Sequence, residues 1–226
     1  MTGRVSRAVI VGRDSAAWIA ALALRRTFAR AGIEVEVVEL PSLLREVDAY
    51  AAVPSLCALH KLLGLDEDEV VGTCGAVPMA AQRFSNWGRS RPPFLHGYDV
   101  QSEAPKDLNF LHYWVKAKGE GLQVELEDFS LAAAAAKQGR VPAEESERAM
   151  LSASFGYHLD APAYAALLKQ RALASGVVCR PARALKVERE GEAISALVLD
   201  NGERVEGDFF IEGLGAEGRL IGGMPG

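Results

Sequence analysis

An α/β fold opening on a strand–helix–strand unit is predicted by three features near the amino terminus. Residues 7–11 (Arg-Ala-Val-Ile-Val) form a short β-branched run that stops at Gly12. A helical pattern then extends from Ser15 to about Ala31, with an apolar face of Trp18, Ile19, Leu22, Ala23 and Phe28 and with Gly32 to close it. Residues 33–39 alternate or run apolar until Pro41 ends them. The handedness of such crossovers makes the two strands parallel, with the helix across one face of the sheet.

Beyond Pro41 the pattern is less regular. Residues 54–63 read as a helix ending at Gly64, and an acidic stretch follows from Asp66 to Glu69. Residues 76–130 mix proline, glycine and the aromatics Phe84, Trp87, Phe94, Tyr98, Phe110, Tyr113 and Trp114, which reads as short strands and loops of a second sheet. The alanine run between Ser130 and Lys137 favours a helix by propensity. Residues 139–150 read as a loop or disordered segment. Order returns at Tyr157, and residues 160–175 form an amphipathic helix that Asp160 caps and Gly176 ends. Strands follow at 177–178, 184–189 and 194–199. The Asp200-Asn201-Gly202-Glu203 turn then predicts a hairpin into 204–205, before a last strand at 208–211. The implied division is a core of 1–50 and 151–226 carrying an inserted substrate-side segment at 51–150.

Composition narrows the function. The 226 residues are 49% hydrophobic and carry a net charge of −5, enough for a real core and the wrong sign for an electrostatic nucleic-acid binder. No apolar run approaches the roughly 20 residues of a membrane span, so no membrane partner is expected. Cys57, Cys74 and Cys179 are too widely spaced for a zinc site or a disulfide framework, which points to a reducing cytoplasm. No nucleophile-elbow pattern supports a serine hydrolase.

The turn after the first strand carries the chemistry. A Gly-x-Gly-x-x-Gly turn between strand and helix binds a dinucleotide because its glycines allow a tight turn, a close approach of pyrophosphate to backbone amides, and close helix–strand packing. Here the turn reads Gly12-Arg13-Asp14-Ser15-Ala16-Ala17, and Glu39 is at the right distance to take the ribose hydroxyls, the other reading being a solvated strand end. Gly12 is in place and Ala17 is a tolerable third position. Asp14, however, stands where the second glycine belongs. At about 6 Å and an effective dielectric near 20, its charge would repel a diphosphate charge by on the order of 3 kcal/mol, or roughly a hundredfold in affinity before screening. Asp14 is also placed to cap the helix by accepting from the amides of Ala16 or Ala17, which would remove donors a phosphate needs. Arg13 could offset part of the charge. Two readings stay open: a working FAD loop, or a vestigial turn.

These residues resemble a known family. The opening from Val9 to Trp18 is similar to the Val-Ile-Val-Gly-Gly-Gly-Thr-Ala-Gly-Trp opening of flavin-dependent tryptophan halogenases, and Trp18 is its distinctive part. Glu39 followed by Pro41 resembles that family's Glu-Ser-Pro, Ala49 to Pro54 its Gly-Glu-Ala-Thr-Ile-Pro, and Arg83 to Trp87 its Arg-Phe-x-Asn-Trp. Phe94 to Gly97, Phe110 to Trp114, Tyr157 to Asp160 and Gly207 to Glu212 also fit in order. The resemblance implies a flavoprotein-monooxygenase type of core with FAD as cofactor, held weakly or lost, by way of Gly12, Ser15, Ala16, Ala17, Glu39 and Gly215. It also implies a flavin reductase or a full-length homologue as partner, a small aromatic substrate, and a chemistry in which reduced FAD and oxygen convert halide to hypohalous acid, which a lysine then guides.

Three departures bear on activity. The family's Phe-Lys-Leu-Gly-Ile-Arg-Phe is matched by Pro78 to Phe84, so Met79 holds the lysine position, and Lys61 and Lys116 lie elsewhere in the pattern. The family's enzymes are more than twice this long, and their Trp-x-Trp-x-Ile-Pro signature and glutamate lie beyond Gly226. Where Asp-Cys-Thr-Gly is expected, Glu212-Gly213-Leu214-Gly215 stands, keeping only the last glycine. The expectation is therefore a halogenase-family flavoprotein, truncated and without catalytic residues of its own. The rivals are a non-catalytic scaffold without FAD and a truncated product with an exposed sheet edge. Blander roles go to His60 (structural) and His158 (capping or core), while the aromatics from Phe84 to Trp114 line an indole pocket or fill a core.

Overall fold

The computed structural model describes residues 5–88, 92–99, 109–140, 155–218 and 220. Strand β1 (Arg7–Gly12) and strand β2 (Glu34–Glu39) pair in parallel around helix α1 (Asp14–Thr27), as the opening pattern requires. The helix is shorter than its sequence pattern: after Thr27 the chain tightens into a 3-10 turn, Ala29–Ala31, and Gly32 turns out at φ 69°. Next come β3 (Ala49–Ala52), α2 (Ser55–Leu63), α3 (Glu67–Thr73), β4 (Val77–Met79), β5 (Ala81–Phe84) and β6 (Phe94–Gly97). Then follow α4 (Phe110–Gly119), α5 (Leu131–Lys137), β7 (Gly156–Asp160) and α6 (Ala161–Ala174). The chain finishes through β8 (Val178–Pro181), β9 (Leu185–Glu190), β10 (Ala193–Leu199), β11 (Arg204–Glu206) and β12 (Phe209–Gly213).

The chain divides into two compact units. The first comprises Met1–Ala49, His60–Gly75 and Asp160–Gly226, and the second Tyr50–Leu59 with Ala76–Leu159. In the first unit a parallel sheet runs β12-β1-β2-β8, and an antiparallel sheet runs β11-β10-β9. Successive residues of a strand face opposite sides, and the burial of β1 and β2 on both faces follows from a layer on each. Val9, Val11, Val38 and Leu40 pack with Leu185, Leu197, Leu199 and Val205 of the antiparallel sheet. The other face receives α1, which packs against α6. This is a Rossmann-like α/β core. Glu36 is a charged residue inside it, buried on the antiparallel-sheet side and bonded by the Arg180 guanidinium, which also reaches Glu203. A buried carboxylate is tolerable only with such a partner.

The second unit has a sheet ordered β3-β7-β4 and a β5–β6 hairpin. Gly156 is obligatory there, because a Cβ would lie 2.0 Å from the Ala52 carbonyl oxygen. The hairpin carries a Phe84–Phe94 stack at 5.2 Å, with Trp87 edge-on to Phe84 at 5.5 Å. Residues 110–119 depart from the expectation of strands and loops. They form α4, capped by the Asn109 side chain, which accepts from the Leu111 amide. The acidic stretch at Asp66 likewise starts a helix, α3, with Asp66 accepting from the Asp68 amide. Glu67, Asp68 and Glu69 sit in its first turn, where acidic side chains suit the helix dipole. The alanine-run helix forms as predicted, with Ser130 accepting from Ala133. The Asn201-Gly202 hairpin joins β10 to β11, with Gly202 at φ 84°. Residues 141–150, most of the predicted loop, lie outside the described residues. Among the described residues no helix is long and apolar enough to cross a membrane.

Candidate nucleotide-binding site

In an open parallel sheet, ligands bind beyond the carboxyl ends of the strands, where the chain reverses its direction of winding. Here the winding reverses at β1: β2 and β8 lie to one side and β12 to the other. The register places Gly213, Gly12 and Glu39 side by side at the ends of β12, β1 and β2. Three residues far apart in sequence thus meet at one end of the sheet.

The turn after β1 is close-packed where it should be. A Cβ on Gly12 would meet the Ala17 Cβ at 2.9 Å and the Gly213 carbonyl oxygen at 3.4 Å, so only glycine fits beside the helix. Ala17 is fully buried, and its role is this helix–strand packing. Ala16 is exposed and Ser15 half-buried at the helix entrance. Gly215 is exposed just past β12 and takes a left-handed φ of 58° at the start of a 3-10 turn. Beside it Glu217 pairs with Arg13 at 3.1 Å, tying the turn after β12 to the turn after β1. Arg13 Nε is buried without a partner, leaving the loop one donor to be satisfied.

The expectation that Asp14 caps its own helix is corrected. Arg13 is the N-cap residue, and its side chain makes no cap hydrogen bond. Asp14 is instead the first helical residue, at φ 56°, and its carboxylate accepts from the Leu43 amide at 3.4 Å. The backbone therefore keeps the left-handed conformation that a glycine would take here, and it is this conformation that turns the side chain away from the helix. Helix geometry leaves the first-turn amides, that of Ala16 among them, without a partner inside the helix. The donors of the turn have not been consumed by Asp14. Arg13, read as a partial offset to its charge, is drawn toward Glu217 instead.

Glu39 lies on the helix side of β2. Its Oε2 accepts from Lys169 Nζ of α6 at 2.6 Å and lies 3.5 Å from Cys179 Sγ of β8. The Lys169 ammonium sits 5.5 Å from the centroid of the buried Trp18 ring. Glu39, Pro41, Ser42, Pro181 and Arg183 are among the residues lining a cleft of about 460 Å3 past the ends of β2 and β8. Nothing local in the sequence links Lys169 to Glu39. The nearest signal was the polar face of the predicted 160–175 helix.

Burial pushes the Cys179 thiol up to about 11, with the Glu39 charge raising it further and Lys169 opposing. Burial, then Asp160 and Glu69, does the same to Cys74. Both thiols are therefore protonated at neutral pH. At pH 8 only roughly 0.1% of each is thiolate, and even allowing for the greater nucleophilicity of a more basic thiolate their alkylation falls about tenfold below that of an ordinary exposed thiol. Mass spectrometry after timed iodoacetamide treatment of the native protein is expected to show Cys179 labelled this slowly and Cys74, which is 0% exposed, more slowly still.

The remaining candidates each have surroundings of their own. His60 is fully buried, its ring nitrogens 3.1 Å from Glu67 and 2.9 Å from the Tyr164 hydroxyl, which supports its structural reading. His158 is exposed on β7, paired with Val77, and neither caps nor fills a core. The cap is Asp160, which accepts from Ala163 at 2.8 Å. Met79 is half-buried at the end of β4, opposite Gly156. Glu212 folds back to accept from the Leu220 amide at 2.9 Å.

The family model described as tryptophan halogenase matches residues 7–224. A tryptophan 6-halogenase of Streptomyces albogriseolus is 26% identical over 98% of this chain and 44% of its own length. A tryptophan 7-halogenase of Kutzneria sp. (strain 744) is 28% identical over 97% of this chain and 44% of its own. A solved flavin-dependent halogenase from Brevundimonas sp. BAL3 superposes with a TM-score of 0.76 at 30% identity, covering 97% of this chain and 44% of that one. The chain thus spans about 44% of the length of the curated relatives it matches.

Proposed function

Because the chain belongs to the tryptophan halogenase family, we propose that its parallel sheet is the nucleotide-binding half of a flavin site, that it binds FAD weakly, and that it does not halogenate by itself. One observation carries this reading: the turn at Gly12 keeps a left-handed backbone, at Asp14, although the second glycine is gone, and the Asp14 carboxylate turns to the Leu43 amide rather than onto the helix. The donor set suits a diphosphate, with the first-turn amide of Ala16, close packing at Gly12 and Ala17, and the unsatisfied Arg13 Nε beside them. In this reading Glu39 takes the ribose hydroxyls and Gly215 allows a close backbone approach. The dissenting group is the Asp14 carboxylate, which sets the affinity rather than the architecture.

Bound FAD would supply the oxidising chemistry that the family uses on halide. Reducing equivalents would come from a flavin reductase in the cytoplasm, and the substrate class would be a small aromatic ring. The 1–50 and 151–226 segments form the nucleotide core in this proposal, with 51–150 on the substrate side. Met79 is the reason for expecting no halogenation. A thioether cannot hydrogen-bond hypohalous acid as an ammonium does, nor can it form a haloamine.

Two measurements test the proposal. Titration of the purified chain into FAD is expected to quench flavin fluorescence saturably, with ADP as competitor. Incubation with FAD, a flavin reductase, bromide and tryptophan is expected to yield no bromotryptophan above the control without the chain. Product above that control would overturn the inactive reading. A flat titration would favour the alternative, a non-catalytic scaffold without FAD, for which the Asp14 charge is the motivating observation.

A further inference from the structure

Within the nucleotide reading just given, on which this step rests, we infer that Lys169 is a positioning residue that sets Glu39 for the ribose of the bound nucleotide. Glu39 has two carboxylate oxygens and the structure treats them differently. Oε2 is held by the Lys169 ammonium at 2.6 Å and by the Cys179 thiol at 3.5 Å. Oε1 has no partner among the described residues, and Glu39 lines the open cleft at the strand ends. One oxygen is anchored and the other is available to accept from a sugar hydroxyl.

The anchor itself is well supported. Lys169 projects from α6, the helix that Asp160 caps and that packs on α1. Its ammonium lies 5.5 Å from the Trp18 centroid, within the range at which a ring face attracts a cation. The thiol of Cys179, protonated because burial raises it to about 11, donates rather than repels. A glutamate has three free torsions, and ordering them only on binding reduces affinity. Lys169 and Cys179 order them beforehand. The side chains of Glu39 and Lys169 are 21% and 37% exposed, so the pair is partly shielded from water and from screening by salt.

The same geometry makes the effect specific to the sugar. Lys169 reaches Glu39 from the helix layer and acts on a nucleotide through that carboxylate. Losing it should therefore weaken recognition of the ribose hydroxyls and leave the rest of the nucleotide alone. Lys169→Met keeps the aliphatic stem that packs near Trp18 while deleting the charge.

The experiment measures the affinity of the full chain for ADP and for 2′-deoxy-ADP by calorimetry, in wild type, Lys169→Met and Lys169→Arg. Wild type is expected to prefer ADP. Lys169→Met should weaken ADP about tenfold, the scale of one charge-assisted hydrogen bond, and leave 2′-deoxy-ADP within twofold. Lys169→Arg should restore most of the preference. Equal loss for both nucleotides would assign Lys169 a purely structural role and overturn the inference. Tighter ADP binding by Lys169→Met would show that the lysine competes with the ribose, and would overturn it as well. A wild type that binds both nucleotides equally leaves the nucleotide reading standing and rejects the role of Lys169. A wild type that binds neither rejects the nucleotide reading and this inference together. Melting temperatures of all three proteins separate folding loss from binding loss.

Discussion

Asp14→Gly is expected to tighten FAD binding by up to roughly a hundredfold at low salt, the largest single effect anticipated for this chain. Two contributions act in the same direction. The carboxylate, although it accepts from the Leu43 amide, brings a negative charge to the turn that a diphosphate would approach, and the side chain adds bulk, at a φ of 56°, where glycine would have none. Left-handed backbone costs a non-glycine residue roughly 1–2 kcal/mol, least for Asp and Asn, so glycine should also leave the unliganded protein no less stable. Asp14→Asn separates the two contributions, since it removes the charge and keeps the side chain. If charge dominates, Asp14→Asn recovers most of the hundredfold, and the gap between wild type and Asp14→Gly narrows as salt rises. Fluorescence titration of FAD at two ionic strengths decides the matter. Equal affinity of all three proteins at low salt would mean that the carboxylate does not face the ligand.

Asp14 also marks a limit of local sequence rules. Asp next to the start of a helix ordinarily caps it, and the capping rule assumes an extended backbone at that residue. Here Arg13 supplies the extended backbone, at φ −142° and ψ 159°, and Asp14 is one step inside the helix with a positive φ. The side chain then points to Leu43, on the loop after β2. Dihedral angle, which sequence does not state, decided the outcome. By contrast the β1–α1–β2 opening, the placement of Glu39 at the end of β2 and the Asp160 cap were all legible, because each depends on local periodicity or on residues within a few positions. The Glu39–Lys169 pair was not, since it joins β2 to a helix 130 residues away. Helix α4 was hidden by Phe110, Tyr113, Trp114 and Val115, which favour strands by composition. Its signals were Asn109 before it and Lys116 and Lys118 in its last turn.

Trp18→Ala is expected to destabilise the fold by about 3–5 kcal/mol, the range for emptying a large aromatic site in a core. Trp18 heads the fully buried side chains by volume and is 1% exposed, on the helix that packs against both the parallel sheet and α6. For a chain of this size the loss corresponds to a melting temperature lower by roughly 10 °C. Burial alone would make any large apolar side chain serviceable, yet the indole also presents its face to Lys169. Trp18→Leu and Trp18→Phe divide these roles. Both leave part of the volume empty and should cost about 1–3 kcal/mol in urea unfolding, but only the phenylalanine variant keeps a ring beneath the ammonium. If that ring helps hold Lys169 on Glu39, Trp18→Phe retains the preference for ADP over 2′-deoxy-ADP and Trp18→Leu loses part of it at comparable stability. Should the two variants discriminate equally, Trp18 is a core residue whose proximity to the lysine is incidental, and the orientation of Glu39 rests on the ion pair and the Cys179 thiol alone.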